Sequence, residues 1–191
     1  DAGVHALGQV AHIDLDVNLH SDDIKNAINA NLPYYCRIMQ VEEVHEFFHS
    51  RFNAKRRFYR YQCYTGESIL YRNQAWLIKS IDVVLLNRLS KKILGENDFL
   101  SFSKYNKDNK NTKCFIFNCN WSSEEKMVTF HIEANRYLHH MIRYLVGTMI
   151  AVYQKIITED HFFKLFENPK KNVKIYKAPP QGLILEKVMY D

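Results

Sequence analysis

The chain has 191 residues, 47% of them hydrophobic, enough to close a core as one large domain or two small ones. Lys and Arg number 26 against 21 Asp and Glu, and the net charge of +5 suits a polyanionic partner without requiring one. No run approaches the roughly 18 uninterrupted apolar residues of a membrane-spanning helix, and the four cysteines lack C-x-x-C spacing, so free thiols in a cytoplasmic protein are expected rather than zinc or disulfides.

In chain order, Gln9 to Val17 alternates, with Ala11, Ile13, Leu15 and Val17 on one face, and predicts a half-buried strand. Ser21 is placed to cap a helix carrying Asp22 and Asp23 in its first turn, an apolar stripe of Ile24, Ala27, Ile28 and Leu32, and a stop at Pro33. A strand is expected near Cys36 to Val44. Glu42 to Arg51 shows no period and reads as a link between two lobes, 1–48 and 49–191. Phe58 to Tyr64 is a tyrosine-rich strand ending in a turn at Gly66. Asp82 to Leu94 is an amphipathic helix with Gly95 as its C-terminal cap.

Lys113 to Trp121 and Lys126 to Ala134 alternate and form a hairpin through Ser122–Glu125. Tyr137 to Tyr153 is a long, largely buried helix. Thr158 caps a shorter one with Phe162, Phe163 and Phe166, and Gly182 to Tyr190 closes the chain as a strand. Hairpins beside helices predict an α+β fold: a largely antiparallel mixed sheet with helices packed on one face and a cleft on the other.

Three features bear on chemistry. His45-Glu46-Phe47-Phe48-His49 matches the H-E-x-x-H pattern of zinc hydrolases, which needs a helix and a third ligand. Neither is evident here, and nine histidines make a chance match cheap, so no metal site is expected. His139 and His140, on a helix, would point about 100° apart, one into the core and one towards a site. Basic and aromatic residues interleave in Arg51 to Tyr61, and lysines recur in the Asn-rich run from Lys104 to Lys113. Such mixtures neutralise phosphates and stack bases, which leans towards RNA; solvated surface is the equal alternative.

Asp1-Ala2-Gly3-Val4-His5 reads physically as a carboxylate on a turn leading into a strand, and most Asp residues before Gly are only turn formers. The run resembles the catalytic motif of the bacterial tRNA pseudouridine synthase A family, in which an Arg-Thr pair precedes Asp-x-Gly-Val-His. That pair is absent, so the resemblance implies a chain that starts inside the family's N-terminal lobe, on its catalytic aspartate. Ordered matches continue along the chain. They are Asn31-Leu32-Pro33, Phe48-His49-Ser50-Arg51-Phe52-Asn53-Ala54, Tyr59-Arg60-Tyr61, Asp98-Phe99-Leu100-Ser101-Phe102, His139-His140-Met141-Ile142-Arg143 and Ala178-Pro179-Pro180-Gln181-Gly182-Leu183.

The resemblance implies the pseudouridine synthase fold and an isomerase that converts uridine to pseudouridine. It casts Asp1 as the catalytic carboxylate, Tyr59 as the ring on the target base, with Tyr61 second, and Arg143 as the partner of Asp1. From the residues alone, Arg143 on an apolar helix is either an arginine with a buried anionic partner or one that snorkels to the surface. The isomerisation has no redox step and needs no cofactor. The implied partners are a tRNA anticodon stem-loop, at positions 38, 39 and 40, and a second copy of the chain, with no membrane. Lys55, Arg56, Arg57, Arg60, Lys104, Lys107 and Lys110 are the candidate phosphate contacts. The alternatives are a non-catalytic RNA-binding fragment of the same fold and a zinc hydrolase through His45 and His49.

Overall fold

A computed structural model describes residues 1–104 and 111–190. The chain divides into two compact units: Val10–Asn53, and Asp1–Gln9 together with Ala54–Asp191. Asp1–Gln9 groups with the larger unit because its strand is hydrogen-bonded there.

In the smaller unit, helix α1 (Ser21–Asn31) carries Asp22 and Asp23 in its first turn and ends at Leu32, before Pro33. His20 rather than Ser21 is its N-cap, and none of its residues is buried. The strands expected over Gln9–Val17 and Cys36–Val44 do not form; both stretches are irregular. Ile13, Leu15 and Val17 are each more than half exposed. Alternation describes a strand only when a neighbour satisfies its backbone, and no strand among the described residues pairs there. Side chains hold the unit instead. Asn29 bonds both the N–H of Ile38 (2.8 Å) and its carbonyl (2.9 Å), and Arg37 donates to the carbonyls of Leu32, Pro33 and Cys36.

The larger unit is built on a seven-stranded sheet. Its strands are β1 (His5–Ala6), β2 (Arg56–Thr65), β3 (Trp76–Ile78), β4 (Gly95–Asp98), β5 (Lys113–Glu124), β6 (Met127–Ala134) and β7 (Leu183–Met189). The order is β1-β7-β2-β6-β5-β4, with β3 pairing the end of β2. The β1–β7 and β2–β3 pairings are parallel and the other four antiparallel, so the sheet is mixed and mostly antiparallel, in an α+β fold. The β5–β6 hairpin shows the cause most plainly. Cys114, Ile116, Cys119 and Trp121 lie with Val128, Phe130, Ile132 and Ala134 on one buried face, while the alternate residues are exposed on β5 and half-buried on β6.

That apolar face carries helices α2 (Val83–Ser90), α3 (Met141–Tyr153) and α4 (Glu159–Glu167). Asp82 caps α2 by accepting from the N–H of Leu85, and Thr158 caps α4 by accepting from that of His161. Helix α2 stops at Ser90 rather than Leu94, and Gly95, at φ 81°, opens β4 instead of capping the helix. Helix α3 is buried at 11 of its 13 positions and none of the described helices is long and apolar enough to cross a membrane. At Gly147, α3 lies so close to the backbone of Tyr176 and Ala178 that any β-carbon would collide with the Tyr176 carbonyl. This close approach fixes the 176–178 segment along the helix and, through it, the position of Arg143.

Candidate active site

The first four residues form a turn: the N–H of Val4 donates to the carbonyl of Asp1 at 3.2 Å. Gly3 sits at φ 80°, a conformation that glycine adopts without strain, and Val4 packs against the core. His5 then enters β1, paired with Ile184, and its Nε2 meets the Asn73 carbonyl at 2.7 Å. The Asp-x-Gly-Val-His run is therefore a turn welded to a strand, and it aims the Asp1 side chain at the start of α3.

Four groups meet there. Arg143, one turn into α3 and only 7% exposed, donates from Nε to the Ala178 carbonyl (2.8 Å) and from Nη1 to Asp1 Oδ2 (3.1 Å). Burial pulls its guanidinium below the ordinary arginine value, but arginine stays charged in proteins. His140 Nδ1 lies 2.5 Å from the same Oδ2, and His139 Nε2 lies 3.2 Å from Oδ1. The two imidazoles stack with centroids 3.9 Å apart.

Burial first, then the nearby His139, Lys177, Arg143 and Lys104, pull the His140 pKa down to about 4. The Asp1 carboxylate acts the other way, but Arg143 already supplies its counter-charge, so a second buried cation is disfavoured. His139 is shifted in the same direction, by burial and then by Lys104. Both rings are thus neutral at pH 7; the His140 ring can donate an N–H to a carboxylate, which only accepts, while His139 lies 3.2 Å away without forming a hydrogen bond. Asp1, His139 and His140 also offer donor atoms within 4.8 Å of one another, the spacing a metal ion would need. Arg143 on the same carboxylate, with Lys104 and Lys177 nearby, makes the surroundings cationic, and the group reads as a hydrogen-bonded cluster.

Tyr59 and Tyr61, two of the three tyrosines of β2, differ. Tyr61 is fully buried, and its hydroxyl donates to the Pro179 carbonyl at 2.8 Å, which leaves no free face. Tyr59 is half-buried, edge-on to Tyr137 at 5.1 Å between centroids, and burial raises its phenol pKa. Tyr59, Leu185 and Ala6 are in register across β2, β7 and β1, so Tyr59 lies on a row about 10 Å, two strand spacings, from the strand that Asp1 leads into. The cluster itself lies at the N-terminal end of α3.

A family model described as tRNA pseudouridine synthase matches residues 89–191. The whole chain aligns with the tRNA pseudouridine synthase A of Ehrlichia chaffeensis at 36% identity, covering 79% of that protein. It aligns over its whole length with those of Prochlorococcus marinus (34% identity, 73% covered) and a Geobacillus species (34%, 78% covered). The chain belongs to the tRNA pseudouridine synthase A family. Members of the family are isomerases that turn uridine into pseudouridine.

Within this family frame, the other residues singled out in the sequence have different surroundings. Lys55 and Lys104 are exposed. Arg56 pairs with Glu133 at 2.8 Å and lies over the Phe117 ring; Arg60 pairs with Glu186 at 2.9 Å; Arg57 donates to the carbonyls of Ala54 and Asn135. The three arginines are thus already engaged by the sheet's own groups. Lys107 and Lys110 lie outside the described residues. His45 and His49 are both on irregular backbone, with a turn at Glu46 and Phe47 between them, so the helix that H-E-x-x-H needs is not formed.

The sequence reading missed that both His139 and His140 reach Asp1. It assumed a helix from Tyr137, in which adjacent residues diverge, but α3 begins at Met141 and His140 is left-handed at φ 65°. That twist lets both rings converge. Lys177 was missed as well, since a single lysine before Ala-Pro-Pro carries no pattern of its own.

Proposed function

We propose that this protein isomerises uridine to pseudouridine in tRNA, with Asp1 as the catalytic carboxylate. The observation that carries the reading is the contact of Asp1 with the buried Arg143 and with two neutral histidines, on a chain that aligns over its whole length with members of this family. The reaction moves the ribose from N1 to C5 of the same base. Either the carboxylate attacks C1′, with the C1′–N1 pair leaving on the uracil, or it removes the C2′ proton and the same pair departs. C5 then bonds to C1′, with the Asp1–C1′ bond breaking and its pair returning to the carboxylate in the first route, or with Asp1 giving its proton back to C2′ in the second; the C5 proton is lost, and N1 gains one. Atoms and electrons balance without a redox partner or group donor.

A uridine in a stem must leave the stack to be reached, and Tyr59 offers a face worth about 1–3 kcal/mol to a flipped base. Arg143 holds the carboxylate ionised against its burial. Lys104 and Lys177 lie close enough to depress both histidines and would meet phosphates beside the target nucleotide. The substrate region we assign is the anticodon stem-loop at positions 38, 39 and 40, with a second copy of the chain sharing the tRNA, in the cytoplasm.

The test is tritium release from tRNA transcripts carrying 5-tritiated uridine, using the full-length protein. Asp1→Ala is expected to lower release by about a thousandfold or more, while tRNA affinity stays within about threefold, since one carboxylate adds nothing to phosphate binding. Tight binding without release in the parent protein would instead make it an RNA-binding module.

A further inference from the structure

The side chain of His140 has no duty to its own helix, although its carbonyl accepts from the N–H of Tyr144 at 3.0 Å. It occupies the N-cap of α3, yet its side chain makes no capping hydrogen bond there. Its backbone is left-handed, at φ 65° and ψ 4°, a region that L-residues rarely adopt. Such conformations persist where the surroundings over-determine them. Here the surroundings are specific. The ring stacks on His139, meets Tyr144 edge-on at 6.0 Å between centroids, is 12% exposed, and brings Nδ1 to Asp1 Oδ2.

The contacts on Asp1 are unequal. Oδ2 receives both His140 Nδ1 and Arg143 Nη1, from side chains only 12% and 8% exposed. Oδ1 is met by His139 Nε2, on a side chain 52% exposed. We propose that His140 is a positioning residue which, with Arg143, pins Oδ2 so that Oδ1 is the oxygen Asp1 presents to the target nucleotide. This assignment rests on the isomerase reading above. An incoming nucleotide approaches from the solvent side, where His139 yields and Oδ1 is uncovered. The depressed basicity of His140 agrees, because a neutral ring keeps one proton, and the carboxylate draws it to Nδ1.

Two substitutions separate positioning from folding. His140→Gly suits the left-handed backbone but removes the donor; His140→Asn suits it too and retains an N–H at a similar reach. For His140→Gly we expect kcat for tritium release to fall about 100-fold, with KM for tRNA within about threefold, as for loss of one preorganised donor. His140→Asn should recover to within about fivefold of the parent. Gly variants within threefold of the parent, or Asn variants no better than Gly, would overturn the proposal. Nitrogen-15 NMR of the imidazoles reads it without activity: His140 should be the Nδ1–H tautomer, with a downfield proton that disappears in Asp1→Ala. An Nε2–H tautomer overturns it even if the protein turns over. A parent protein that releases no tritium but shows the Nδ1–H signal refutes the isomerase reading and leaves the geometry standing.

Discussion

The larger unit contains two clusters made of the same three chemical groups. At the N-terminal end of α3 stand Asp1, Arg143 and His140; on the open face of the sheet stand Glu186, Arg60 and His131. In the first, the histidine lies 2.5 Å and the arginine 3.1 Å from one carboxylate oxygen, with side chains 8–14% exposed. In the second, the arginine is at 2.9 Å, the histidine at 3.8 Å, and the side chains are 28–43% exposed. Composition does not distinguish them; anchoring does. Arg143 is held by the Ala178 carbonyl on a segment that Gly147 lets approach, whereas Arg60 has a buried Nε with no hydrogen-bond partner. A site needs groups fixed from outside the cluster, and the open-face trio is fixed mainly by itself.

If that distinction holds, breaking the two arginine–carboxylate pairs must have very different consequences. The largest effect belongs to Arg143→Ala. It leaves the Asp1 carboxylate in a largely buried place without its counter-charge, and breaking a buried pair in this way costs about 3–5 kcal/mol. Turnover should fall by about 100-fold or more, with a clear drop in Tm measured by calorimetry. A loss below tenfold, or an unchanged Tm, would mean that the α3 cluster is no better anchored than the open-face one.

How much of this could be read from the sequence follows the same division. The hairpin of β5 and β6 was legible because Cys114 to Trp121 and Val128 to Ala134 alternate and are paired by neighbours. Thr158 was legible as a cap because the capping bond is local. Gln9 to Val17 alternates as well, yet forms no strand, because alternation states which face would be buried and not whether a partner exists. The Asp1–Arg143 pair spans 142 positions and is invisible to any local pattern; only the resemblance pointed to it. His140 was hidden by one backbone angle that no residue-level preference announces.

An intermediate effect concerns pH. His140 has its pKa lowered from 6.5 to about 4 by burial and by His139, Lys177, Arg143 and Lys104, with Asp1 and Tyr144 also facing it. Between those pH values the unfolded chain binds a proton that the folded chain does not. Stability contributed by the neutral ring is therefore complete above about pH 6.5 and lost as pH falls towards 4. Melting curves at pH 7, 5.5 and 4.5 should show this acid limb in the parent and a shallower one in His140→Asn. Equal slopes in the two proteins would place the acid sensitivity elsewhere and remove one of the differences between the clusters.

The smallest effect belongs to the open face. Glu186→Gln keeps the shape of the side chain and an oxygen that still accepts from Arg60, but removes the charge. The pair is about 30% exposed on both sides. Exposed pairs contribute about 0–1 kcal/mol, because solvent screens them and two long side chains must be ordered. Tm should move by only a few degrees, in the direction of lower stability, and tritium release should stay within about twofold. The orphaned Arg60 Nε argues in the same direction, since this guanidinium already tolerates incomplete satisfaction. A tenfold loss of turnover in Glu186→Gln would show that the sheet face and the α3 cluster are energetically one system, joined through β7, which pairs with both β1 and β2.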